Sequence, residues 1–434
     1  AIFPLSLSVI PVLFAPEERQ KAIALMASAT FISFPIGPIV GGYLLDHFWW
    51  GSVFLINVPV VVLAVFAVAI LLPESRSAER PRIDVAGVIL SSAGLAALTY
   101  GFIKAGQDGW TDATALGTIA AGAAVLAVFV AWERWLTGRN PAGSGGPLHG
   151  GVIRPLIELR LFRSASFTWG TTLSTLVSFA MFGIFFAMPQ YFQEVRGADA
   201  MGSGLRLLPM IGGMVIGMIG STRLASPRQA ADGTASSPLA SVKGLVTVGF
   251  AIMAVTLGVG ATTTVSSGTG FAAAWFAVFG LGLGLAMPQT MNAALGALSA
   301  ERSGSGSALI SALRQVGATI GVAVLGTVLS SVYRSHLVVT GLPDAAASAA
   351  KSSVVAGVTI ANQTGSAPLL DSVRHAFVAG MDTMLWACAG IALASAILAV
   401  IFLPRRPDGE AAQPAVTGAA EVVPDENRAQ RAEL

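Results

Sequence analysis

The groups that could hold or pass a charge inside this chain are few. Asp382 is the acidic residue nearest the interior of an apolar run, about one turn inside the helix expected over 379–403. A carboxylate placed there could alternately take up and release a proton. Arg314, with Gln315 beside it, stands about two turns inside another apolar run, where an unpaired charge is expensive; it either makes a structural contact or lines a polar path. Arg206 lies about one turn from the end of a third run, close enough for its long stem to carry the guanidinium to the membrane surface. Met188, Gln190 and Tyr191, just before a loop, are candidates for meeting a small molecule, with core packing as the plainer alternative.

Other chemistry is missing its parts. The sequence has no Gly-Lys dipeptide, hence no GxxxxGK[ST] phosphate loop and no ATP-binding domain of that type. It has no HExxH, and His47, His149, His336 and His375 are scattered away from the centres of the apolar runs. Cys388 is the only cysteine, which excludes a disulfide or a thiolate metal cluster within one chain. No catalytic residue, metal or cofactor is expected, and a net charge of +2 gives no reason to expect nucleic acid.

The elements that must position these groups are membrane helices. Of 434 residues, 54% are hydrophobic and 11% charged, too few polar residues to clothe a soluble domain of this length. Apolar stretches fall at 2–15, 22–45, 52–72, 84–104, 114–133, 167–190, 203–223, 242–261, 270–291, 307–331 and 379–403. Most reach the roughly 20 residues that a spanning helix needs. The alternation expected of a membrane β-barrel is absent. The chain therefore reads as an all-α polytopic membrane protein, with lipid as its surroundings. The first stretch is short for a span and opens on Ala1, which leads to the expectation of further sequence upstream.

Lys and Arg set an orientation. If the loop at Arg19 and Lys21 is cytoplasmic and the chain alternates, that side also receives Arg76, Arg80, Arg82, Arg134, Arg139, Arg154, Arg160, Arg163, Arg223, Arg228, Lys243, Arg302 and the C-terminal Arg405, Arg406, Arg428 and Arg431. The other side receives Lys104, Arg196, Arg334, Lys351 and Arg374. Such asymmetry places the C-terminus in the cytoplasm. Trp49, Trp50 and Trp110 then sit at outer ends, and Trp132, Trp135 and Trp169 at inner ends, as interfacial anchors. The Gly/Pro-rich stretch 136–160 reads as an inner linker, 333–378 as a long outer segment with a short amphipathic helix around 367–378, and the tail after Arg406 as disordered.

Two segments repeat. FPLSLSVIPVLFAPEER (3–19) parallels MPQTMNAALGALSAER (287–302), and the following helix of each carries spaced glycines, Gly37 and Gly41 against Gly317 and Gly321. Two corresponding halves are a common plan for secondary transporters. Within FPIGPIVGG (34–42), glycines four apart offer a smooth face to a neighbouring helix, while Pro38 removes a backbone donor and bends the chain. The same glycine spacing recurs at Gly213/Gly217 and Gly317/Gly321, so generic packing is the competing explanation.

The full pattern is more specific. GPIVGG resembles the antiporter motif of drug-exporting major facilitator proteins, with Ser33 and Ala24 standing where that motif has upstream glycines. WWGSVFLINVP (49–59), IDVAG (83–87), SGLRLLP (203–209), LRQVGATIGVAVLG (313–326) and HAFVAGMD (375–382) are similar to later signposts of the 14-helix drug:proton antiporters of the EmrB/QacA type. This resemblance implies a major facilitator fold with about 11 of 14 helices present. The chain would then open within the fourth helix. Residues 1–75 would be the remnant of the N-terminal bundle, 84–133 a two-helix insert, 134–166 a cytoplasmic linker, 167–403 a C-terminal six-helix bundle with its outer loop at 333–378, and 404–434 the tail.

What the resemblance implies functionally is export of small amphipathic compounds across the cell membrane in exchange for protons. Gly37, Pro38, Gly41 and Gly42 would lie at the contact between halves, as a seal or gating hinge. Arg314, Gln315, Gln190, Tyr191 and Met188 would be cavity or gating candidates. Asp382 would be the remaining proton-linked candidate, the main carrier being expected upstream of Ala1. The competing readings are a carrier for an endogenous metabolite, lipid or siderophore, and a fragment unable to transport.

Overall fold

The computed structural model describes residues 36–37, 39–71, 84–139, 159–225, 241–296, 298 and 303–404. Outside them lie the first expected span, Pro38, most of the inner linker and the C-terminal tail. Among the described residues, nine helices are long and apolar enough to cross a membrane. They coincide with the last nine of the eleven stretches read from the sequence.

The described residues open with the helical stretch 36–37 and 39–47 (α1 from residue 39) and the apolar helix α2, Ser52–Ile70. The hairpin of α3 (Val85–Asp108) and α4 (Ala113–Arg139) follows. Asp84 caps α3 by accepting from Gly87 N–H at 2.9 Å, and it also receives the Trp132 indole N–H at 3.1 Å, which ties the start of α3 to the end of α4. Gly109, at φ 103°, makes the turn between them in a conformation that other residues rarely adopt.

The remaining helices form one bundle. They are α5 (Ala165–Gln190, prolonged by a π-turn at Tyr191–Val195), α6 (Ala200–Arg206), α7 (Leu208–Ala225), α8 (Val242–Gly260), α9 (Thr269–Leu295), α10 (Ser303–His336) and α13 (Ala367–Phe402). Two shorter helices, α11 (Asp344–Ser352) and α12 (Val354–Thr364), connect α10 to α13. Side-chain oxygens of Ser164, Asp199, Ser241 and Ser366 accept from first-turn amides of α5, α6, α8 and α13, donors that would otherwise lack partners.

The run FGLGLGLA in α9 shows how small residues place the helices. A Cβ on Gly280 would come 2.7 Å from the carbonyl carbon of Met210, and one on Gly284 would come 2.7 Å from the Met218 amide nitrogen, both on α7. Gly282 points instead to α8, where its would-be Cβ lies 2.8 Å from the Gly249 carbonyl oxygen, and the relation is reciprocal. Alternating glycines therefore let α9 sit between two neighbours at backbone contact. In lipid, where apolar surface gains nothing by leaving its surroundings, such close packing drives helices together.

The final helix corrects the sequence reading. The stretch expected as a separate amphipathic helix around 367–378 is the first part of α13, which is 36 residues long. At 1.5 Å per residue it reaches roughly 54 Å, well beyond a hydrocarbon layer of about 30 Å. Two hydrogen bonds tie this projecting region together: Tyr333 of α10 donates its hydroxyl to the Ala350 carbonyl of α11 at 2.9 Å, and Val338 N–H, just after α10, donates to Ser372 Oγ on α13 at 2.9 Å.

Candidate functional site

The face of α10 repeats small and polar residues at helical spacing: Gln315, Thr319, Val322, Gly326, Ser330 and Arg334. These positions share one face. They line two cavities of 300 and 610 Å³ that meet at Ile103, Val322 and Ala323. From Gln315 to Arg334 the face runs for roughly 28 Å, close to the thickness of a hydrocarbon layer.

Three helices make most of the walls, with Ser352, Ser353, Val354 and Phe377 closing one end. α5 contributes Phe182, Phe186 and Gln190, α10 contributes its small-residue face, and α3 closes the space with Ile103 and Gly106. Gly106 lets α3 approach, because a Cβ there would press on Thr327, and the Arg334 guanidinium donates to the Gly106 carbonyl. Gln190 donates an amide proton to the Phe186 carbonyl at 2.9 Å, leaving its own oxygen for other contacts. Apolar walls with a few placed polar groups are what a site for an amphipathic molecule requires.

Of the candidate cavity residues, only Gln190 and Gln315 line this space. Met188 and Tyr191 are buried in the bundle core instead, among the residues packed around α5 and α13. Tyr191 Oη donates to the Thr264 carbonyl at 3.4 Å and takes no part in the cavity. Arg314 lies off the cavity as well: its Nε donates to Ser178 Oγ at 3.2 Å, strapping α10 to α5. That contact favours a structural role among the two weighed from the sequence.

Since α13 begins at Ala367, Asp382 stands about four turns along the helix rather than one; the added turns are the projecting ones, so its place near the start of the apolar stretch is unchanged. Its Oδ1 is buried and has no hydrogen-bond partner among the described residues. It interacts electrostatically with Tyr191, which also feels the charges of Arg196 and Arg206. Arg206 stacks over Phe192 with its guanidinium carbon 5.8 Å from the ring centroid, and its buried Nη1 has no hydrogen-bond partner among the described residues. These groups form a polar cluster inside the bundle, apart from the cavity.

The motif glycines divide. Among the described residues nothing lies within 4 Å of a Cβ built on Gly37 or Gly41, whereas Gly42 is buried and a Cβ there would come 2.6 Å from Met201 Cα on α6. One turn later, Asp46 accepts hydrogen bonds from Ala200 N–H at 3.3 Å and Met201 N–H at 2.9 Å. Sequence reasoning missed Asp46. Its place four residues after Gly42, on the same helical face, was the available signal.

A model of the Major Facilitator Superfamily matches residues 1–322. The chain belongs to that superfamily. It is 31% identical over 422 residues to the tetracenomycin C resistance and export protein of Streptomyces glaucescens, a match that covers 94% of this chain and 73% of the relative. It is 30% identical over 426 residues to the multidrug efflux pump LfrA of Mycolicibacterium smegmatis, covering 92% and 75%. Among solved structures, a bacterial homologue of the human lysosomal transporter Spinster, crystallised inward-facing and occupied, superposes with a TM-score of 0.51 at 16% identity, over 92% of this chain and 73% of that one. This last likeness concerns the fold alone.

Membership of the Major Facilitator Superfamily and the helical fold are those of a multi-pass membrane transporter rather than an enzyme. In a major facilitator chain the division of the polar groups gains meaning. The open cavity, the polar cluster around Asp382 and the Gly42–Asp46 junction occupy three separate places, so they can be altered one at a time.

Proposed function

We propose that this chain exports amphipathic drugs or toxic compounds across the cytoplasmic membrane in exchange for protons, as a member of the 14-helix EmrB/QacA type. The observation that carries the reading is the path along α10, lined by apolar walls with Gln190 and Gln315 at intervals and about as long as a hydrocarbon layer is thick. The names of the two relatives, an antibiotic exporter and a multidrug pump, support the class of cargo.

Exchange with protons requires a group that can be charged or neutral inside the protein. Asp382 answers that need, because its buried Oδ1 lacks a fixed hydrogen-bond donor that would hold the carboxylate in one state. The Lys/Arg distribution orients the protein with the Trp49, Arg334 and Asp46 end outside and the C-terminus in the cytoplasm. Residues 84–133 are the insert, and the helices after Ala165 are the C-terminal half.

Everted membrane vesicles test this directly. After an inward proton gradient is formed, an amphipathic drug should dissipate it only when the protein is present. Asp382→Asn should weaken that dissipation while leaving drug binding intact. Loss of drug binding together with coupling would remove Asp382 from the proton-linked role, and a gradient insensitive to every amphipathic drug tried would remove the export reading.

A further inference from the structure

The junction between α1 and α6 is built from two positions one turn apart. Gly42 brings the α1 backbone against Met201, with a would-be Cβ 2.9 Å from both the Ala200 carbonyl oxygen and the Met201 amide nitrogen. Asp46, on the same face, then reaches the first two amides of α6, Ala200 and Met201. These donors have no acceptor within their own helix. The next amide, Gly202, donates at 2.8 Å to Asp199, which precedes the helix.

Local sequence alone caps only part of this helix start. Asp199 serves Gly202, while the other two donors are served by a carboxylate more than 150 residues away in the chain. Among the described residues, these two hydrogen bonds are the ones that join residues 39–71 to the bundle. A bond between a carboxylate and an amide is stronger than one between neutral groups, yet Asp46 is exposed, so water can replace either partner. Such a contact can hold one arrangement and still be broken during a cycle.

We infer that Asp46 is a positioning residue for transport, a clasp that holds the α5–α6 corner of the bundle against the motif helix in one end state and releases it in the other. Gly42 sets the approach and Asp46 fastens it. The clasp acts through α6, without touching cargo: neither residue lines the α10 cavities. The inference rests on the transporter reading for its consequence, but the contact can be tested without transport.

The test uses a cysteine introduced at Met201 in the whole chain, held in native membrane vesicles. Cys388 is fully buried and stays silent to an impermeant thiol reagent. With Asp46 intact the introduced thiol should react slowly, because α1 covers its backbone. Asp46→Asn should speed the reaction about tenfold, since the neutral amide loses the charge and one acceptor. Asp46→Glu, which keeps the carboxylate, should restore most of the protection. In export assays Asp46→Asn should lower the maximal rate while leaving the half-saturating drug concentration unchanged, with Glu again restoring it. Equal reactivity in all three forms would overturn the clasp even if export proceeds. Altered reactivity without any export in wild type would leave the clasp standing and overturn the transport reading instead. If Asn and Glu lose membrane insertion alike, Asp46 is a folding residue and the inference fails.

Discussion

Two glycine-rich regions of this molecule share a spacing and differ in what the spacing does. On α7, Gly213 and Gly217 stand four apart and meet the backbone of α9, with would-be Cβ atoms 2.8 Å from the Ala277 carbonyl carbon and 3.0 Å from that of Leu281. Gly37 and Gly41 stand four apart as well and, among the described residues, meet nothing within 4 Å. On α10, Gly317 and Gly321 behave like the first pair, with Thr175 O at 2.8 Å and Phe179 Cα at 2.9 Å. A smooth stripe permits close approach but does not choose a partner; the opposing helix must offer a matching groove. On the motif helix the contact is made one residue further on, at Gly42, and fastened by a carboxylate instead of a second glycine.

The sharpest way to break the comparison is to fill the α7–α9 seam. Gly280→Leu would drive a side chain into the Met210 carbonyl, and neither backbone can yield without separating the helices. The expected cost is about 3 kcal/mol or more, enough to leave little folded protein in the membrane. Fluorescence-detected size exclusion of a tagged protein measures this, and a monodisperse peak of normal height would show that the seam tolerates a gap.

The next effect is functional. Gly42→Leu should abolish export while membrane insertion persists, because the clash is confined to the first turn of α6. The sequence reading assigned the close approach to Gly41; among the described residues Gly41 meets no neighbour within 4 Å, so Gly41→Leu should be the milder change. Resistance conferred on a drug-sensitive host separates the two. A milder defect at Gly42 than at Gly41 would reverse the assignment.

Why the sequence could not tell these glycines apart is a matter of faces. In helices apolar all round, the hydrophobic pattern marks a membrane span without saying which side meets protein. Hydropathy and loop charges therefore located the nine described spans, while Met188 and Tyr191 could not be sorted from Gln190, two core residues from one that lines a cavity. The start of α13 was misplaced for a related reason. The polar residues of APLLDSVRH concealed that α13 continues beyond the apolar stretch, so its start was put near residue 379 instead of Ala367. Arg314 and Gln315 were adjacent in the reading and separate in the fold, since neighbours in a helix point about 100° apart; one straps α5 and the other faces the cavity. The part played by α3 in walling that cavity depends on the pairing of distant helices, which no local pattern records.

A smaller effect belongs to Arg314. Its half-buried guanidinium donates to Ser178, so Arg314→Ala should cost roughly 1–2 kcal/mol, and Arg314→Lys, a point charge without the planar fork, should recover only part of it. Thermal unfolding in detergent should fall by a few degrees for Ala and less for Lys. An unchanged melting curve for Ala would show that the strap between α5 and α10 is carried by packing alone.

The smallest change is the most discriminating. Gly41→Ala adds one methyl group to a helical position where none of the described residues lies within 4 Å, so no clash with them is expected. Alanine also gives up less backbone freedom than glycine on entering a helix, a gain of roughly 0.5–1 kcal/mol. The expected result is unchanged export and a melting temperature equal to wild type or slightly higher. Loss of export with stability retained would carry a different message. It would mean that the open face of α1 closes on another helix in a second state of the cycle, where even a methyl group is too large. Gly37→Ala, on the same face one turn earlier, then decides the extent of that contact: failure at both positions marks a whole helix face closing, and failure at Gly41 alone marks a single point of contact beside the Gly42–Asp46 junction.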